Sequence, residues 1–198
     1  MIQTLISPIE NREVDEAANL CAEAFIQTPF TSTVMGGKGE KEVKNLRRGM
    51  KMLLKASGQV LVAKEGEQMV GVMRMVQWPD CQKSTPKGLA SLPGIIFGGK
   101  AFRNVIYFRK RWAEHDPKEP HWHIDPLCVL PEKQGQGIGS ELLTHFCEIV
   151  DKDGLLAYLE TEQEQNERLY NRFGFKTKES EHIFGEKNVF MWRNGEIG

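Results

Sequence analysis

The chain has 198 residues, of which 40% are hydrophobic and 27% are charged, as in an ordinary globular protein of one domain. Its 26 Lys and Arg nearly balance its 27 Asp and Glu, which argues against a globally basic nucleic-acid-binding protein. The longest apolar stretch, residues 89–102, is too short to span a bilayer and is interrupted by Pro93. We therefore expect neither nucleic acid nor membrane as a partner.

The cysteines indicate a reducing compartment. They form no CxxC pair and show no zinc-type spacing with histidines; they are Cys21, Cys81, Cys128 and Cys147. The N-terminal residues lack the basic and long apolar segments of a secretory leader. We therefore predict a cytoplasmic protein without a metal. The run His121-Trp122-His123 is the one metal-like feature, and it has no further ligand near it in the sequence.

Hydrophobic periodicity predicts the elements of the first half of the chain. Apolar side chains alternate in short segments and recur at helical spacing in longer ones. The pattern predicts a strand at 2–6, helices at 13–26 and 40–56, and a hairpin of strands at 60–64 and 69–78. Residues 79–119 interrupt this regularity with three prolines before a basic helix at 99–113, so we interpret them as an insertion.

The second half of the chain alternates strands and helices. The predicted order is a strand at 121–130, a Gly-rich loop at 134–139, a helix at 138–150, a strand at 155–161, a helix at 163–173 and strands at 175–180 and 187–193. This order predicts a mixed α/β layer without internal repeats, in a single domain that spans residues 1–198.

The Gly-rich loop has the character of a phosphate site. A strand leads into Gln134-Gly135-Gln136-Gly137-Ile138-Gly139-Ser140, and a helix begins there. The first N–H groups of a helix have no partner within it and carry partial positive charge, so a phosphate or pyrophosphate fits at such a turn. Glycine allows the ligand to come close to the backbone. The alternative is a turn whose glycines have only a steric role.

The glycine spacing separates several phosphate-binding loops. It is G-x-G-x-G, whereas the dinucleotide fingerprint needs G-x-G-x-x-G. Instead, Gln134, Gly137 and Gly139 match the Q-x-x-G-x-G pyrophosphate loop of the GNAT superfamily of N-acetyltransferases, which this sequence resembles. Residues 166–175 are similar to the N-x-x-x-Y-x-x-x-G-F helix and strand of that family.

A closer resemblance is to the branch that contains puromycin N-acetyltransferase. It rests on His121-Trp122, on the loop, on Ala157-Tyr158-Leu159-Glu160-Thr161 and on the Asn/Tyr helix. The resemblance implies a GNAT fold, with a central mixed, mostly antiparallel sheet and helices on both faces. It implies acetyl-CoA as cosubstrate and direct transfer to a small-molecule primary amine in a ternary complex, by a monomer or homodimer. The insertion and the first two helices would line the acceptor site. Two alternatives stay open: a protein lysine or N-terminal acetyltransferase, and a non-catalytic acyl-CoA sensor.

The resemblance also implies the cofactor residues. The strand before the loop would pair with the pantetheine arm through its backbone, the loop would bind the pyrophosphate, and the following helix would contact the thioester end. The residues are Cys128, Val129, Leu130, Gln134, Gly135, Gln136, Gly137, Ile138, Gly139, Ser140, Asn166 and Tyr170.

Four residues are candidates for proton transfer. The resemblance implies that Tyr170 points at the thioester sulfur as the general acid; the alternative is a packed tyrosine. His123 is a candidate base, although an aromatic residue is usual there in the puromycin-like branch. Asp125, on the same strand face by a period of two, could orient His123, and Glu160 is the other candidate base. Cys128 could form a covalent intermediate, but a small buried cysteine more often serves packing.

Overall fold

The computed structural model describes residues 4–83 and 99–195. Residues 2 and 3 of the first predicted strand therefore lie outside the described residues, as do positions 84–98 of the predicted insertion and apolar stretch. Within the two described ranges, no helix is long and apolar enough to cross a membrane.

Seven strands form one mixed sheet in the order β1-β2-β3-β4-β5-β7-β6. Every neighbouring pair is antiparallel except β4 and β5, which are parallel. The sheet is thus mixed and mostly antiparallel, as predicted. The strands are β1 (Thr4–Pro8), β2 (Gln59–Glu65), β3 (Gln68–Gln77), β4 (His121–Val129), β5 (Leu156–Thr161), β6 (Lys176–Ile183) and β7 (Glu186–Arg193).

Seven α-helices lie within the described ranges: α1 (Val14–Ile26), α2 (Pro29–Met35), α3 (Glu40–Leu54), α4 (Asp80–Lys83), α5 (Gly99–His115), α6 (Ile138–Asp153) and α7 (Glu164–Arg172). Hydrophobic periodicity does not indicate α2, because this helix of 7 residues is too short for a periodic signal. Its start is nevertheless encoded, because the Thr28 side chain accepts a hydrogen bond from the Thr31 N–H at 3.1 Å and Pro29 occupies the first helical position.

Helices cover both faces of the sheet. A Cβ at Gly71 would lie 3.0 Å from Ile138 and 3.2 Å from Leu142 of α6, so Gly71 of β3 faces that helix. The next residue, Val72, faces the other way. Its register partner Cys128 of β4 contacts Cys21 of α1. Helix α6 therefore covers one face, and α1 covers the opposite face.

Strand β4 is irregular in two ways that open a site. Its register with β3 shifts between Met73 and Met75, which leaves Asp125 and Pro126 opposite a single residue. Such a bulge bends the strand and interrupts the alternation of its side chains. In addition, β4 pairs with β5 only over residues 121–123. The rest of β4 diverges from β5, and this divergence creates the cleft in which the candidate site lies.

Candidate active site

A cavity of about 410 Å³ lies where the second half of β4 faces α7. The loop before α6 forms one end of it. Ten of the twelve predicted cofactor residues line this cavity, which we call the cofactor cavity: Cys128, Val129, Gln134, Gly135, Gly137, Ile138, Gly139, Ser140, Asn166 and Tyr170. The structure therefore brings the strand, loop and helix motifs of the sequence to one place.

Two predicted cofactor residues do not line the cavity. Leu130 packs into the hydrophobic core at 8% exposure, and its N–H donates to the Val70 carbonyl at 3.0 Å. Its N–H is therefore occupied by strand β3. Gln136 is exposed, and its side-chain amide donates to the Glu132 carbonyl at 3.1 Å. It ties the loop back on itself.

The loop conformation explains its glycines. Gly135 and Gly137 have φ values of +77° and +94°, which side chains with a Cβ disfavour. A Cβ at either position would meet no other atom within 4 Å, so the loop borders open space. Gly137 is the N-cap of α6 and provides no side-chain cap, which leaves the first helical N–H groups for a ligand. The Gln134 amide donates to the Val129 carbonyl at 3.2 Å and holds the loop against β4.

A second cavity, of about 600 Å³, adjoins the first. We call it the acceptor cavity. It lies between the sheet and the helices α1, α2, α3 and α5, so the inserted segment contributes one wall through α5. Five of the described residues line both cavities: Phe25, Leu127, Gln163, Asn166 and Tyr170.

Tyr170 stands at this junction with 5% of its surface exposed. Burial raises the pKa of its phenol, and the nearby carboxylates Glu162 and Glu160 raise it further. The phenol therefore keeps its proton at neutral pH and can donate it. Asn166, one helical turn earlier, donates from its amide to the Thr161 hydroxyl at 3.5 Å, a contact that joins α7 to the end of β5.

His123 and Glu160, which the sequence offered as separate candidate bases, form one pair. His123 Nε2 and Glu160 Oε2 lie 2.9 Å apart, and the two side chains are only 9% and 5% exposed. Burial lowers the pKa of His123, but Glu160, Cys81 and Asp116 outweigh burial and raise it well above the ordinary value. Burial also raises the pKa of Glu160, although His123 opposes this. The pair thus holds a proton to higher pH than an isolated histidine does.

His123 and Glu160 differ in their position relative to the cavities. Glu160 lines the acceptor cavity, whereas His123 is not among the residues that line either cavity. Glu160 is therefore the member of the pair that borders the acceptor cavity.

Asp125 also lines the acceptor cavity, but its partner is not His123. Arg109 Nη2 donates to the Asp125 carboxylate at 3.1 Å, and Arg74 Nη1 donates to the Asp125 carbonyl at 3.0 Å. Burial alone would raise the pKa of Asp125; Arg109, His123 and Arg74 outweigh it and hold the pKa below its ordinary value. The described carboxylate that hydrogen-bonds to His123 is Glu160.

A further neighbour of the histidines is Cys81, which sequence reasoning missed. His121 Nε2 lies 3.4 Å from the Cys81 sulfur, and His121 Nδ1 donates to the Glu119 carbonyl at 2.7 Å. One side-chain atom of each of Cys81, His121 and His123 lies within 4.8 Å of the others. A third side chain of a metal-binding type thus adjoins the two histidines, contrary to the expectation from sequence spacing, because α4 and the start of β4 meet only in the fold.

Cys128 lies in the cofactor cavity as a protonated thiol. Its sulfur is 2.9 Å from that of Cys21 and 3.7 Å from the Val72 carbonyl. Burial raises the pKa of Cys128 well above its ordinary value. Because the thiolate is the nucleophilic form, this environment disfavours covalent catalysis and agrees with a packing role.

The two cavities share lining residues, so the fold offers room for two ligands next to each other. Residues 26–175 match the model of the Acetyltransferase (GNAT) family. Because this match covers most of the chain, the protein belongs to the GNAT family of acetyltransferases. The family uses acetyl-CoA.

Solved structures share the fold over the whole chain. A structure of histone acetyltransferase HPA2 and related acetyltransferase from Corynebacterium glutamicum has a TM-score of 0.74 at 23% identity, covering 98% of each chain. Arylalkylamine N-acetyltransferase 2 from Aedes aegypti has a TM-score of 0.70 at 13% identity, covering 97% of this chain and 99% of that one. The acetyltransferase yncA from Salmonella typhimurium, crystallised with acetyl-CoA, has a TM-score of 0.59 at 16% identity, covering 96% and 93%.

Proposed function

We propose that this protein transfers the acetyl group of acetyl-CoA directly to the primary amine of a small molecule. One observation carries the proposal: the cofactor and acceptor cavities meet at Tyr170, and the carboxylate of Glu160 lines the acceptor side. Two cavities that share a wall allow both substrates to be held at once, which direct transfer requires.

The residues of the cofactor cavity fit acetyl-CoA. The free N–H groups at the start of α6 would hold the pyrophosphate, and the open glycine positions 135 and 137 leave room for it. The divergent part of β4, from Leu127 to Val129, would pair with the pantetheine arm as an added strand does. When bound, acetyl-CoA supplies the acetyl thioester. The protein's part is to hold it, to remove a proton from the amine and to protonate the sulfur.

Glu160 is proposed as the group that takes the proton from the acceptor ammonium. Its carboxylate faces the acceptor cavity, and its hydrogen bond to His123 holds it in one orientation. His123 then acts through Glu160 as a positioning residue that shares the proton. This revises the sequence prediction, in which His123 itself was the favoured base. Asp125 is proposed to hold Arg109 at the cavity wall.

Tyr170 is proposed as the acid. The amine nitrogen forms a bond to the acetyl carbon, the bond from that carbon to sulfur breaks, and the leaving thiolate takes the phenol proton at Tyr170 Oη. The position of the phenol supports this role, because Tyr170 lines both cavities and carries its proton at neutral pH. As the amide forms, the nitrogen loses its second proton to the tyrosinate, which restores the phenol, and Glu160 releases the first proton to solvent.

The proposal has three further parts. The chain is one GNAT domain over residues 1–198, with 79–119 as an insertion on the acceptor side, supported by the position of α5 in the acceptor cavity wall. It belongs to the branch that contains puromycin N-acetyltransferase, supported by the motifs at 121–122 and 157–161. It acts as a monomer or homodimer. The cytoplasmic location stays a prediction.

The test is calorimetric titration with acetyl-CoA followed by a screen of acceptors with thiol detection. The panel contains small primary amines, a lysine-containing peptide and a peptide with a free N-terminus, and mass spectrometry verifies each acetylated product. We expect binding and thiol release with small amines. Binding without thiol release from any acceptor would favour a sensor, and faster release with the peptides would favour a protein acetyltransferase.

A further inference from the structure

The acceptor cavity has an aromatic wall that is distinct from its polar end. Phe30 of α2 stacks on Trp112 of α5, with ring centroids 5.7 Å apart and planes 9° apart. Phe108 meets both rings edge-on, at 5.4 Å and 5.0 Å. All three residues line the cavity. We call these three residues the aromatic wall.

The aromatic wall is held in place by contacts outside the cavity. The Trp112 indole N–H donates to the Asn188 side-chain oxygen of β7 at 3.1 Å, and Asn188 is fully buried. Phe30 is only 4% exposed and packs with Val34 and Ile183. A preorganised wall of this kind binds a flat apolar group without first having to become ordered.

The charges of the cavity are unevenly distributed. Asp125 is already paired with Arg109, so its charge is compensated. Glu160 and Glu162 also line the cavity, and both lie close enough to Tyr170 to raise the pKa of its phenol. Glu160 is hydrogen-bonded to His123, and burial raises the pKa of Glu162. The described carboxylates that are not paired with an arginine therefore lie near Tyr170, and this end of the cavity is the position for an ammonium group.

We propose that the acceptor is a monoamine with an aromatic body, whose ring lies against the aromatic wall and whose ammonium lies at Glu160. This inference rests on the proposed function and adds the class of acceptor. The cavity volume of about 600 Å³ is within the range that accommodates a small ligand of this kind. Aromatic rings pack best edge-on or offset against other rings, and the wall presents both a stacked pair and an edge.

The arrangement of charged side chains in the acceptor cavity disfavours diamines and polyamines as acceptors. A second ammonium extending from Glu160 into the cavity would face the aromatic wall and the guanidinium of Arg109. Asp125 cannot compensate it while it remains paired with Arg109. A cation placed beside Arg109 would lose water and face a like charge. The class of acceptor therefore follows from where Glu160, Glu162 and Arg109 stand in the lining.

The experiment compares 2-phenylethylamine and tryptamine with 1,4-diaminobutane and propylamine as acceptors. We expect kcat/KM to be about tenfold or more higher for the two aromatic amines, the usual scale for filling an apolar pocket. Trp112→Leu should lower kcat/KM for the two aromatic amines about tenfold more than for propylamine, and the difference should lie in KM. Tyr107→Leu is the matched control, since Tyr107 is on the same helix but is 52% exposed and outside the cavity lining.

The two proposals fail in different ways. If diaminobutane or propylamine is acetylated as well as the aromatic amines, or if Trp112→Leu leaves the ranking unchanged, the aromatic acceptor is refuted and the acetyl transfer stands. If no amine releases thiol, the proposed function fails. Titration of 2-phenylethylamine into the CoA-saturated protein then decides: binding that Trp112→Leu weakens supports the acceptor class, and absence of binding overturns it. Unchanged CoA affinity verifies that each variant is folded.

Discussion

The position of the pyrophosphate can be tested by introducing a negative charge that should stabilise helix α6 and lower the affinity for CoA. Ser140 is the third residue of α6 after the N-cap Gly137, and it lines the cofactor cavity. In Ser140→Asp, a carboxylate joins the first helical turn, where the helix dipole favours it by about 0.3–1 kcal/mol. The same carboxylate stands where the pyrophosphate is proposed to bind, so folding and binding should respond in opposite directions.

The expected loss of affinity follows from electrostatics. Two unit charges 4 Å apart interact by about 1 kcal/mol in water and by about 4 kcal/mol near a protein surface. The loop residues around Gly135 and Gly137 are exposed, so the lower figure applies. With roughly two charges on the pyrophosphate, the repulsion is about 2 kcal/mol, or roughly thirtyfold in dissociation constant. A substitution at Gly137 is less informative, because its φ of +94° would add backbone strain.

The assay is calorimetric titration with CoA, together with thermal unfolding of the free protein. Ser140→Ala removes the hydroxyl without adding charge, and we expect its affinity to change little. Salt offers a second control. The loss of CoA affinity in Ser140→Asp should be smaller at high ionic strength, because exposed charges are screened. If Ser140→Asp unfolds at or above the wild-type temperature and yet binds CoA as tightly as Ser140→Ala, the pyrophosphate does not lie at the start of α6.

Two further predictions concern proton transfer. Tyr170→Phe should lower kcat roughly ten- to a thousandfold with CoA affinity unchanged, and unaltered turnover would mean that water protonates the sulfur. In wild type, kcat/KM should rise with pH through the raised pKa of His123, above pH 6.5, as the pair loses its proton and can accept one from the amine. His123→Gln should move that rise to a different pH, because the buried Glu160 then titrates without the histidine that lowers its pKa. The measurement uses an acceptor whose own ionisation is known, and an unmoved rise would remove His123 from the proton path.

The cofactor half of the site was predictable because its signals are contiguous. A strand, a glycine loop and a helix start follow one another from 128 to 140, and positive φ values at Gly135 and Gly137 explain the glycines locally. Of the predicted cofactor residues, only Leu130 and Gln136 do not line the cavity. The position of Leu130 depends on its hydrogen bond to β3, which is remote in sequence. The position of Gln136 depends on the fold of the loop, because its side chain bonds back to Glu132.

The acceptor half could not be predicted in the same way, because it depends on packing between distant segments. His123 and Glu160 are 37 residues apart and meet only because β4 and β5 are parallel neighbours at that level. The aromatic wall joins α2 with α5, which are separated by more than 60 residues, and α2 gave no periodic signal. The register shift between β3 and β4 at Asp125 likewise cannot be predicted from an alternating pattern of side chains.

Removing the arginine that pairs with Asp125 tests whether this ion pair disfavours diamine acceptors. Arg109→Gln removes the partner of a carboxylate that is only 15% exposed. Burial then raises the pKa of Asp125, and the protein should be destabilised because an unpaired buried charge is unfavourable. The carboxylate also becomes free to bind a second ammonium in the acceptor cavity.

We therefore expect Arg109→Gln to raise kcat/KM for 1,4-diaminobutane relative to 2-phenylethylamine, by roughly tenfold if the gained ion pair approaches about 1.4 kcal/mol. The diamine should also raise the melting temperature of this variant more than that of wild type, since it replaces the missing cation. Arg111→Gln is the matched control, because Arg111 lies on the same helix but pairs with Glu181 and Glu114 away from the cavity. An unchanged acceptor ratio in a folded Arg109→Gln protein would show that Asp125 does not face the bound amine, and the argument that Arg109 excludes diamines would fail with it.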